Sequence, residues 1–509
     1  MSSSENPSAR FTLDPAFTVA TVDPRLFGSF VEHLGRCVYT GIYEPGHPRA
    51  NAAGLRTDVL ELIRELGVTA IRYPGGNFVS GYKWEDSVGP VEQRPRRLEP
   101  AWRSTETNAF GLSEFIGFLR ELGPEAEPMM AVNLGTRGVA EALELQEYAN
   151  HPGGTELSDR RIAHGDKDPF GIRMWCLGNE MDGPWQIGHK SAADYGKLAA
   201  ATARAMRMIE PDLELVACGS SGQGMPTFGA WESEVLEHTY DQVDFISMHA
   251  YYEELDGDRD SFLASAVDME SFIENVVATC DAVGARLKSK KRIHISFDEW
   301  NVWYLTRHQQ QTADEPLDWP EAPRLLEDNY SVTDAVVFGS LLIALLRHAD
   351  RVKVACLAQL VNVIAPILTE PGGPAWRQTT FFPFAAASRY GRGEVLRVEV
   401  DSPTYRTEKF GEVPLLHATA VRDPETGAVT VFAVNRSQDA ELPLEVALRG
   451  CGLSAVQEHT VLTDADPDAR NTLADPDRVV PRPQDGTALS DGVLRATLAP
   501  LSWNVIRLL

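Results

Sequence analysis

The sequence lacks paired cysteines, is short of basic residues and has no apolar run long enough to cross a bilayer. Its six cysteines do not have the close spacing of a zinc site or a redox pair. They are Cys37, Cys176, Cys218, Cys280, Cys356 and Cys451. Most lie in apolar runs, which predicts reduced, buried side chains. The longest apolar stretch, 335–346, is too short for a membrane span and predicts a buried helix.

Positive charge is scarce. The 509 residues contain 47 Lys and Arg against 73 Asp and Glu, a formal net charge of −26 at pH 7. This surplus repels nucleic-acid phosphates and anionic membranes, so neither is expected as a partner and a neutral substrate fits better. The first ten residues contain no apolar segment of the kind found in secretory signals, so the expected location is the cytoplasm.

Several catalytic motifs are missing. The sequence contains no His-Glu-x-x-His, no Gly-x-Ser-x-Gly elbow and no Walker-type loop. Zinc hydrolysis, serine esterase chemistry and phosphoryl transfer therefore lack their parts. We expect neither a metal nor a cofactor.

Between residues 22 and 360, short β-type apolar runs alternate with helical patterns, which is typical of βα units around a parallel sheet. Eight runs occur, at 26–33, 68–74, 128–134, 172–180, 213–219, 243–251, 292–300 and 352–359. Helical spacing of apolar residues is found at 57–66, 112–122, 192–209 and 269–288. Eight units close a barrel, so the predicted fold class is α/β, a (β/α)8 TIM barrel. An open doubly wound sheet is the alternative, but no glycine-rich nucleotide fingerprint follows the first strand.

The pattern changes near residue 389. Alternating β stretches at 394–400, 415–421, 428–435 and 498–509 are separated by Asp, Pro and Gly turns, which indicates an antiparallel, jelly-roll-like β-sandwich. Residues 11–21 alternate similarly and are expected to add a strand to it. We therefore expect an N-terminal segment (1–21) that joins the sandwich, a catalytic barrel (22–388) and a C-terminal β-sandwich (389–509).

Two of the predicted barrel strands end in a carboxylate. The fourth reads WCLGNE (175–180) and the seventh ISFDEWN (295–301), so Glu180 and Glu299 each follow buried apolar residues. The C-terminal ends of parallel strands form the floor of an active site, which places both side chains at one mouth. Taken alone, either Glu could cap a helix or join a surface salt bridge. Together they favour acetal hydrolysis by an acid and a nucleophile.

These residues resemble those of the barrel glycosidases of clan A, and longer motifs are similar to those of family 51 α-L-arabinofuranosidases. The motifs span nearly the whole chain: FGSFVEHLGR (27–36), IYE (42–44), RYPGGNF (72–78), LGNEMDGPW (177–185), SMHAY (247–251) and AQLVN (358–362). The resemblance implies that Glu180 is the general acid/base and Glu299 the nucleophile of a retaining mechanism, with carboxyl groups roughly 5 Å apart. It also implies a homo-hexamer.

The resemblance further implies a pocket for one arabinofuranose, with polar groups on the sugar rim and aromatic faces against it. Asn179 would hydrogen-bond the 2-hydroxyl, and Tyr251 would hydrogen-bond the nucleophile. The remaining pocket residues would be Glu32, Arg72, Asn77, Gln359, Trp102, Trp185 and Trp303, the last one helical turn after Glu299.

Structural roles remain the alternative for several of these side chains. Arg72 could only keep a neighbouring carboxylate ionised, and Gln359 could hydrogen-bond the backbone at a strand end. Tyr251 could pack in the core, and Trp102 and Trp185 could pack within loops. His33 and His249 also lie beside strand ends, and we expect them to orient neighbours rather than react.

The sequence thus predicts an intracellular, exo-acting α-L-arabinofuranosidase that removes terminal arabinose from oligosaccharides derived from arabinan or arabinoxylan. The first alternative is a glycosidase of the same barrel with another sugar, such as a β-xylosidase or an endo-glucanase. The second is a carbohydrate-binding barrel without turnover. Glu180 and Glu299 argue against the second, because a binding protein has no use for two closely opposed carboxylates.

Overall fold

The computed structural model describes residues 8–314 and 317–509. The α-helices in these residues are α1 (Thr57–Leu66), α2 (Leu112–Leu122), α3 (Val139–Asn150), α4 (Glu156–Ala163), α5 (Ala192–Ile209), α6 (Ala230–Thr239), α7 (Arg259–Leu263), α8 (Ser265–Leu287), α9 (Leu305–Asp314), α10 (Val332–Arg347) and α11 (Phe381–Tyr390). The strands are β1 (Ala9–Leu13), β2 (Thr18–Thr21), β3 (Gly28–Phe30), β4 (Ala70–Tyr73), β5 (Arg97–Glu99), β6 (Ser104–Glu106), β7 (Glu127–Val132), β8 (Met174–Leu177), β9 (Glu214–Ala217), β10 (Phe245–Tyr252), β11 (His294–Val302), β12 (Val352–Leu357), β13 (Ile367–Thr369), β14 (Ala375–Arg377), β15 (Glu394–Leu396), β16 (Thr404–Thr407), β17 (Gly411–Pro414), β18 (Leu416–Arg422), β19 (Val429–Asn435), β20 (Leu442–Leu448), β21 (Val456–Leu462), β22 (Arg482–Pro483), β23 (Ala488–Ser490), β24 (Val493–Leu498) and β25 (Ser502–Leu508).

Eight parallel strands close into a barrel in the order β3, β4, β7, β8, β9, β10, β11 and β12, with β12 pairing back to β3. They coincide with the eight apolar runs of the sequence, which confirms the predicted barrel and excludes the open doubly wound sheet. Strands β3, β4 and β8 are buried at every residue. This burial is expected of a parallel barrel, where one face points inward and the other packs under helices.

Helices α1, α2 and α5 begin and end where the apolar spacing predicts. In α1 the buried side chains are Val59, Leu60, Ile63 and Leu66, which form one stripe of the helix. The helix ends at Gly67, whose φ of 78° lies in the left-handed region, and the N–H of this residue bonds the Ile63 carbonyl. Helix α8 starts at Ser265, four residues earlier than the sequence predicts.

Helix α10 contains the longest apolar stretch and is buried on all sides. It packs against α8 and α11 of the barrel and against β18 and β19 of the sandwich. Its first turn is capped by Ser331, whose hydroxyl accepts the Asp334 N–H. The predicted buried helix is therefore confirmed. Across residues 8–314 and 317–509, each helix is too short or too polar for a membrane span.

Two sheets form the C-terminal sandwich. One has seven strands in the order β2, β15, β18, β19, β25, β21 and β22, and the other has four in the order β1, β20, β24 and β23. Apolar side chains from both sheets, such as Leu416, Val431, Leu444 and Ile506, form a second core distinct from that of the barrel. Strand β1 pairs with β20 in parallel, while β20 pairs with β24 and β18 with β19 in antiparallel fashion.

Two predicted strands are each divided in the structure. The N-terminal segment forms β1 and β2, which join different sheets, because the turn at Asp14 and Pro15 reverses the chain. The predicted strand at 498–509 is likewise the end of β24 and all of β25, since Pro500 interrupts it where the chain crosses between sheets. Helix α11 ends at Tyr390 and β15 begins at Glu394, and we propose that the barrel and sandwich divide between them.

Candidate active site

Glu180 lies in the loop that leaves strand β8. The strand ends at Leu177, and the next residues bend sharply, with φ of 95° at Gly178 and 43° at Glu180. Glycine adopts a positive φ without a steric penalty, so Gly178 permits the first bend. The N–H of Gly183 then closes a turn on the Glu180 carbonyl at 2.8 Å. The carboxylate is thereby held at the C-terminal mouth of the barrel.

Glu299 lies inside strand β11 rather than at its end. The strand predicted from the sequence ends at residue 300, next to Glu299. In the structure β11 continues to Val302, because β10 continues beside it and Tyr252 pairs with Val302. A register shift follows Ser247 in β10 and sets His249 opposite Glu299. Such irregularities re-aim side chains near active sites.

Glu180 and Glu299 face each other across the barrel mouth. A carboxylate oxygen of Glu180, a ring nitrogen of His249 and a carboxylate oxygen of Glu299 all lie within 4.8 Å of one another. Both carboxylates are largely buried, with 8% and 6% of the residue exposed. The separation suits a retaining glycosidase, whose two carboxyl groups lie about 5–5.5 Å apart, and leaves no room for a water molecule to attack between them.

Arg72 and Tyr251 hold the two oxygens of Glu299. Arg72 Nη1 donates to Oε1 at 2.7 Å, and the Tyr251 hydroxyl donates to Oε2 at 2.7 Å. The same guanidinium donates from Nη2 to Asn179 Oδ1 at 2.6 Å and lies over the Phe30 ring. Charge-assisted contacts of this kind fix the orientation of the Glu299 carboxylate. The structure thus brings together four residues that the sequence selects.

His249 and Asp298 complete a buried network behind the carboxylates. His249 Nδ1 lies 2.8 Å from Glu180 Oε1, and Nε2 lies 3.0 Å from Asp298 Oδ1. Burial disfavours a charge on His249, but Glu299, Asp298 and Glu180 outweigh it and raise the pKa of the imidazole well above its usual value. We therefore expect the ring to be protonated at neutral pH, with Nδ1 donating to Glu180 and Nε2 donating to Asp298. His33 instead contacts Glu106 and Tyr73.

Asp298 is a residue that the sequence interpretation misses. It is 1% exposed, and besides His249 it lies 3.6 Å from Arg72 Nε. The available signal was two adjacent acidic residues, Asp298 and Glu299, inside one apolar strand. A buried charge needs a partner, so an Asp at this position implied a cation from a neighbouring strand.

Glu32 accepts three hydrogen bonds in the pocket. Its donors are the Phe78 N–H at 2.9 Å, Trp102 Nε1 at 3.0 Å and Gln359 Nε2 at 3.1 Å. Burial, aided by the nearby charge of Glu299, raises the pKa of Glu32 to about 8 despite these donors. The carboxyl group is therefore mostly neutral at pH 7 and can donate as well as accept. Gln359 and Trp102, which the sequence places in the sugar pocket, thus both contact Glu32.

Trp102 is carried by a short hairpin. Strands β5 and β6 flank it, and Glu99 accepts the N–H groups of Ala101 and Trp102 at 2.9 and 2.7 Å, which fixes the tip. The hairpin is tied in turn to a neighbouring loop, where the Pro320 carbonyl accepts the Thr105 N–H at 3.0 Å. A loop position alone could not have shown this placement.

Of the remaining predicted pocket residues, only Trp185 directly contacts one of the two carboxylates among the described hydrogen bonds. Trp185 donates from Nε1 to Glu180 Oε2 at 2.6 Å. Trp303 packs edge-on against Tyr251 with ring centroids 4.9 Å apart. The predicted helical turn between Glu299 and Trp303 is wrong, because the chain stays in strand β11 through Val302. Asn77 opens a 3-10 helix, Asn77–Gly81, directly beyond β4.

The cluster of Glu180, His249 and Glu299 offers ligand atoms at metal-like distances. Each of these atoms has a protein partner. His249 contacts Glu180, while Arg72 and Tyr251 bind Glu299. Mutual hydrogen bonds therefore account for the arrangement, and it matches an acid/base and nucleophile pair.

Comparison with known proteins agrees with this geometry. The family models described as "Alpha-L-arabinofuranosidase 1 domain" and "Alpha-L-arabinofuranosidase C-terminal domain" match residues 62–260 and 298–502. The chain is 78% identical over 500 residues to an intracellular exo-α-(1→5)-L-arabinofuranosidase of Streptomyces lividans, covering 98% of this chain and 75% of that protein. It is 59% identical over 512 residues to an exo-α-(1→6)-L-arabinofuranosidase of Bifidobacterium longum, covering 99% and 97%.

A solved structure gives the same result. The family 51 α-L-arabinofuranosidase AbfB of Bifidobacterium longum superimposes with a TM-score of 0.94 at 47% identity, covering 99% of this chain and 100% of that one. Sequence and structure agree over both the barrel and the sandwich. This chain therefore belongs to the family 51 α-L-arabinofuranosidases, a family of retaining glycoside hydrolases.

Proposed function

We propose that this protein is an exo-acting α-L-arabinofuranosidase in which Glu180 is the general acid/base and Glu299 the nucleophile. The observation that carries the proposal is the separation of the two carboxylates, with oxygens within 4.8 Å. Family membership supports arabinofuranose over the xylose and glucose alternatives, and an intact catalytic pair argues against a barrel that only binds.

In the first step, Glu299 attacks the anomeric carbon and forms a covalent glycosyl-enzyme while Glu180 gives its proton to the leaving oxygen. Arg72 and Tyr251 each bind one oxygen of Glu299 and orient the carboxylate for this attack. In the second step, Glu180 takes a proton from a water molecule, which attacks the same carbon from the face opposite Glu299; the bond to Glu299 breaks, and its carboxylate leaves with the electron pair. Two inversions give retention of configuration.

The pocket residues suit one furanose ring. Asn179 Oδ1 accepts a hydrogen bond from Arg72, and Nδ2 donates one proton to Gln186 Oε1 at 3.4 Å, so the second proton of Nδ2 would donate to the 2-hydroxyl of the sugar. Glu32, Gln359 and Asn77 would bind the other rim hydroxyls, and the neutral form of Glu32 can donate to one of them. The aromatic side chains Trp303, Trp102 and Trp185 would cover the C–H faces of the sugar and of its leaving group.

The names of the relatives support a substrate class and a location for this proposal. The Streptomyces lividans relative is named for (1→5) linkages and for an intracellular location, and we propose cytoplasmic hydrolysis of (1→5)-linked arabino-oligosaccharides from arabinan or arabinoxylan. We further propose a homo-hexamer, for which light scattering should give about six times the chain mass of 56.0 kDa. The net charge of −26 is consistent with a neutral substrate and with no nucleic-acid partner.

Proton NMR of the first product formed from an arabinofuranoside tests sugar and stereochemistry together. We expect the α-anomer of arabinofuranose to appear before mutarotation. A panel of nitrophenyl glycosides serves as the control, with hydrolysis of the arabinofuranoside far faster than that of the β-xyloside or β-glucoside. An initial β-anomer, or preference for another sugar, would refute the proposal.

A further inference from the structure

Trp185 lies directly against the proposed acid/base. Its indole Nε1 donates to Glu180 Oε2 at 2.6 Å, although the residue is 50% exposed. The other oxygen, Oε1, faces His249 in the barrel interior at 2.8 Å. The two oxygens of Glu180 therefore have different partners: Oε1 lies against the buried His249, and Oε2 accepts from the half-exposed indole.

The local chain is shaped to allow this contact. Turns closed by the Gly183 N–H on Glu180 and by the Gln186 N–H on Gly183 fold the segment back on itself. The indole then lies over Gly183, where a Cβ atom would be 2.5 Å from Trp185 Cε2 and 2.9 Å from Nε1. A side chain at position 183 would thus push the exposed indole away from Glu180.

We propose that Trp185 is a positioning residue that sets the acidity of Glu180 through this hydrogen bond, an inference that rests on the proposed function. An N–H donor stabilises a carboxylate more than the corresponding acid. When the O–H bond of Glu180 breaks, the proton goes to the glycosidic oxygen, the C–O bond breaks and the leaving oxygen keeps the electron pair. The indole stabilises the carboxylate that remains on Glu180, which favours the transfer to sugar leaving groups.

Other charged and polar groups also lie near Glu180, and they stay in place when the indole is removed. They are His249 on β10, Glu299 on β11, the Tyr251 hydroxyl on β10 and Asp182 in the same loop. A change caused by losing the indole N–H alone therefore reports the contribution of Trp185.

Fluorine NMR of protein labelled with 5-fluorotryptophan tests the contact without turnover. The resonance missing from Trp185→Phe belongs to Trp185. We expect its chemical shift to change with pH in the wild-type protein and to stay constant with pH in Glu180→Gln. A resonance that does not move, or that titrates equally in both proteins, would overturn the proposal.

Kinetics on an arabino-oligosaccharide give the second test. In both Trp185→Phe and Gly183→Ala, the pH at which kcat/KM falls on the alkaline side of the pH profile should increase by about 0.5–1 pH unit. Rates on aryl arabinofuranosides, whose leaving groups need little protonation, should change less. Trp376→Phe, an indole on β14 outside the described hydrogen bonds of the pocket, is the matched control and should keep the wild-type pH profile.

Two kinetic results separate the possible failures. If both variants keep the wild-type alkaline pH dependence of kcat/KM and only KM rises, Trp185 would serve only to stack against the substrate. That result would overturn the inference. A wild-type protein that hydrolyses no arabinofuranoside would refute the proposed function instead, and the fluorine titration would still decide whether the indole senses Glu180.

Discussion

Tyr251 donates its hydroxyl to Oε2 of Glu299 at 2.7 Å, from the strand adjacent to that of the nucleophile. The next residue, Tyr252, donates to Asp268 at 3.3 Å instead. Two neighbouring tyrosines of β10 therefore serve different carboxylates, since successive side chains of a strand alternate between faces.

Tyr251→Phe should lower kcat by roughly 10- to 100-fold, the usual effect of losing a hydrogen bond to a charged group. The reason is that Glu299 loses one of its two orienting donors. Steady-state kinetics measure the effect, with Tyr252→Phe as the matched control. Equal losses in the two variants would show that the hydroxyl of Tyr251 has no special part in catalysis.

Glu180→Ala should mainly lower the hydrolysis rate of substrates with poor leaving groups. Aryl substrates should be less affected, because an aryl leaving group departs without much protonation. Azide should restore turnover by attacking the glycosyl-enzyme, and the product should be a glycosyl azide of retained configuration. Glu299→Ala should lose all turnover. Rates with and without azide on aryl and oligosaccharide substrates provide the measurement.

Asp182→Ala is the control for this rescue. Asp182 lies in the same loop as Glu180 but binds the N–H and hydroxyl of Ser221. Azide should not accelerate this variant. Rescue of Asp182→Ala, or equal loss on both substrate types in Glu180→Ala, would contradict the assigned acid/base.

Asp298→Asn should produce a defect that grows with pH. In the wild-type protein the carboxylates around His249 keep the imidazole charged. Loss of one of them lowers the pKa of His249, so the variant loses this charge as the pH rises, and with it one of the two donated hydrogen bonds. We expect kcat/KM to fall about tenfold more at pH 8 than at pH 5.5. A defect of equal size at both values would count against a charged His249.

Glu32 should make the protein less stable at alkaline pH. Its pKa in the folded state, about 8, lies above the ordinary carboxyl value of 4.5. The folded state therefore holds the proton more tightly, and stability falls as pH rises between these values, by an amount on the order of 4 kcal/mol. Melting temperatures at pH 5 and pH 8 should differ more in the wild type than in Glu32→Gln. The same difference in both proteins would disprove this effect.

Gly339→Ala should destabilise the contact between the barrel and the sandwich. A Cβ at this position of α10 would lie 2.3 Å from Trp503 Cε3 on β25. Overpacking of this kind costs about 1–3 kcal/mol, more than the gain of about 1 kcal/mol from replacing a helical glycine. Gly117→Ala in α2 is the control, since no atom lies within 4 Å of its Cβ, and it should raise the melting temperature. Higher melting temperatures in both variants would contradict the clash.

Most of the barrel could be predicted from the sequence because its strands are buried on both faces and its helices carry clear apolar stripes. The limits of α1, α2 and α5 follow directly from that spacing. Strand ends were harder. The continuation of β11 beyond Glu299 depends on pairing with β10, which no local pattern in β11 reveals.

The candidate site was predicted in part. The residues from the longer motifs do converge on Glu180 and Glu299, as Arg72 and Tyr251 show. Asp298 was missed because its cation, His249, comes from another strand 49 residues away in the chain. The contact of Trp185 with Glu180 depends on how two successive turns fold a loop, and residue spacing alone does not determine this.

Helix α10 has consequences for dissecting this chain. Its apolar side chains are covered on one side by α8 and α11 and on the other by strands β18 and β19. A fragment that stops at Tyr390 would expose the apolar surface of this helix that the sandwich strands cover in the full chain. Such an exposed apolar patch promotes aggregation. Expression of the hydrolytic part by itself is therefore expected to give inclusion bodies, and the two halves should melt in a single step.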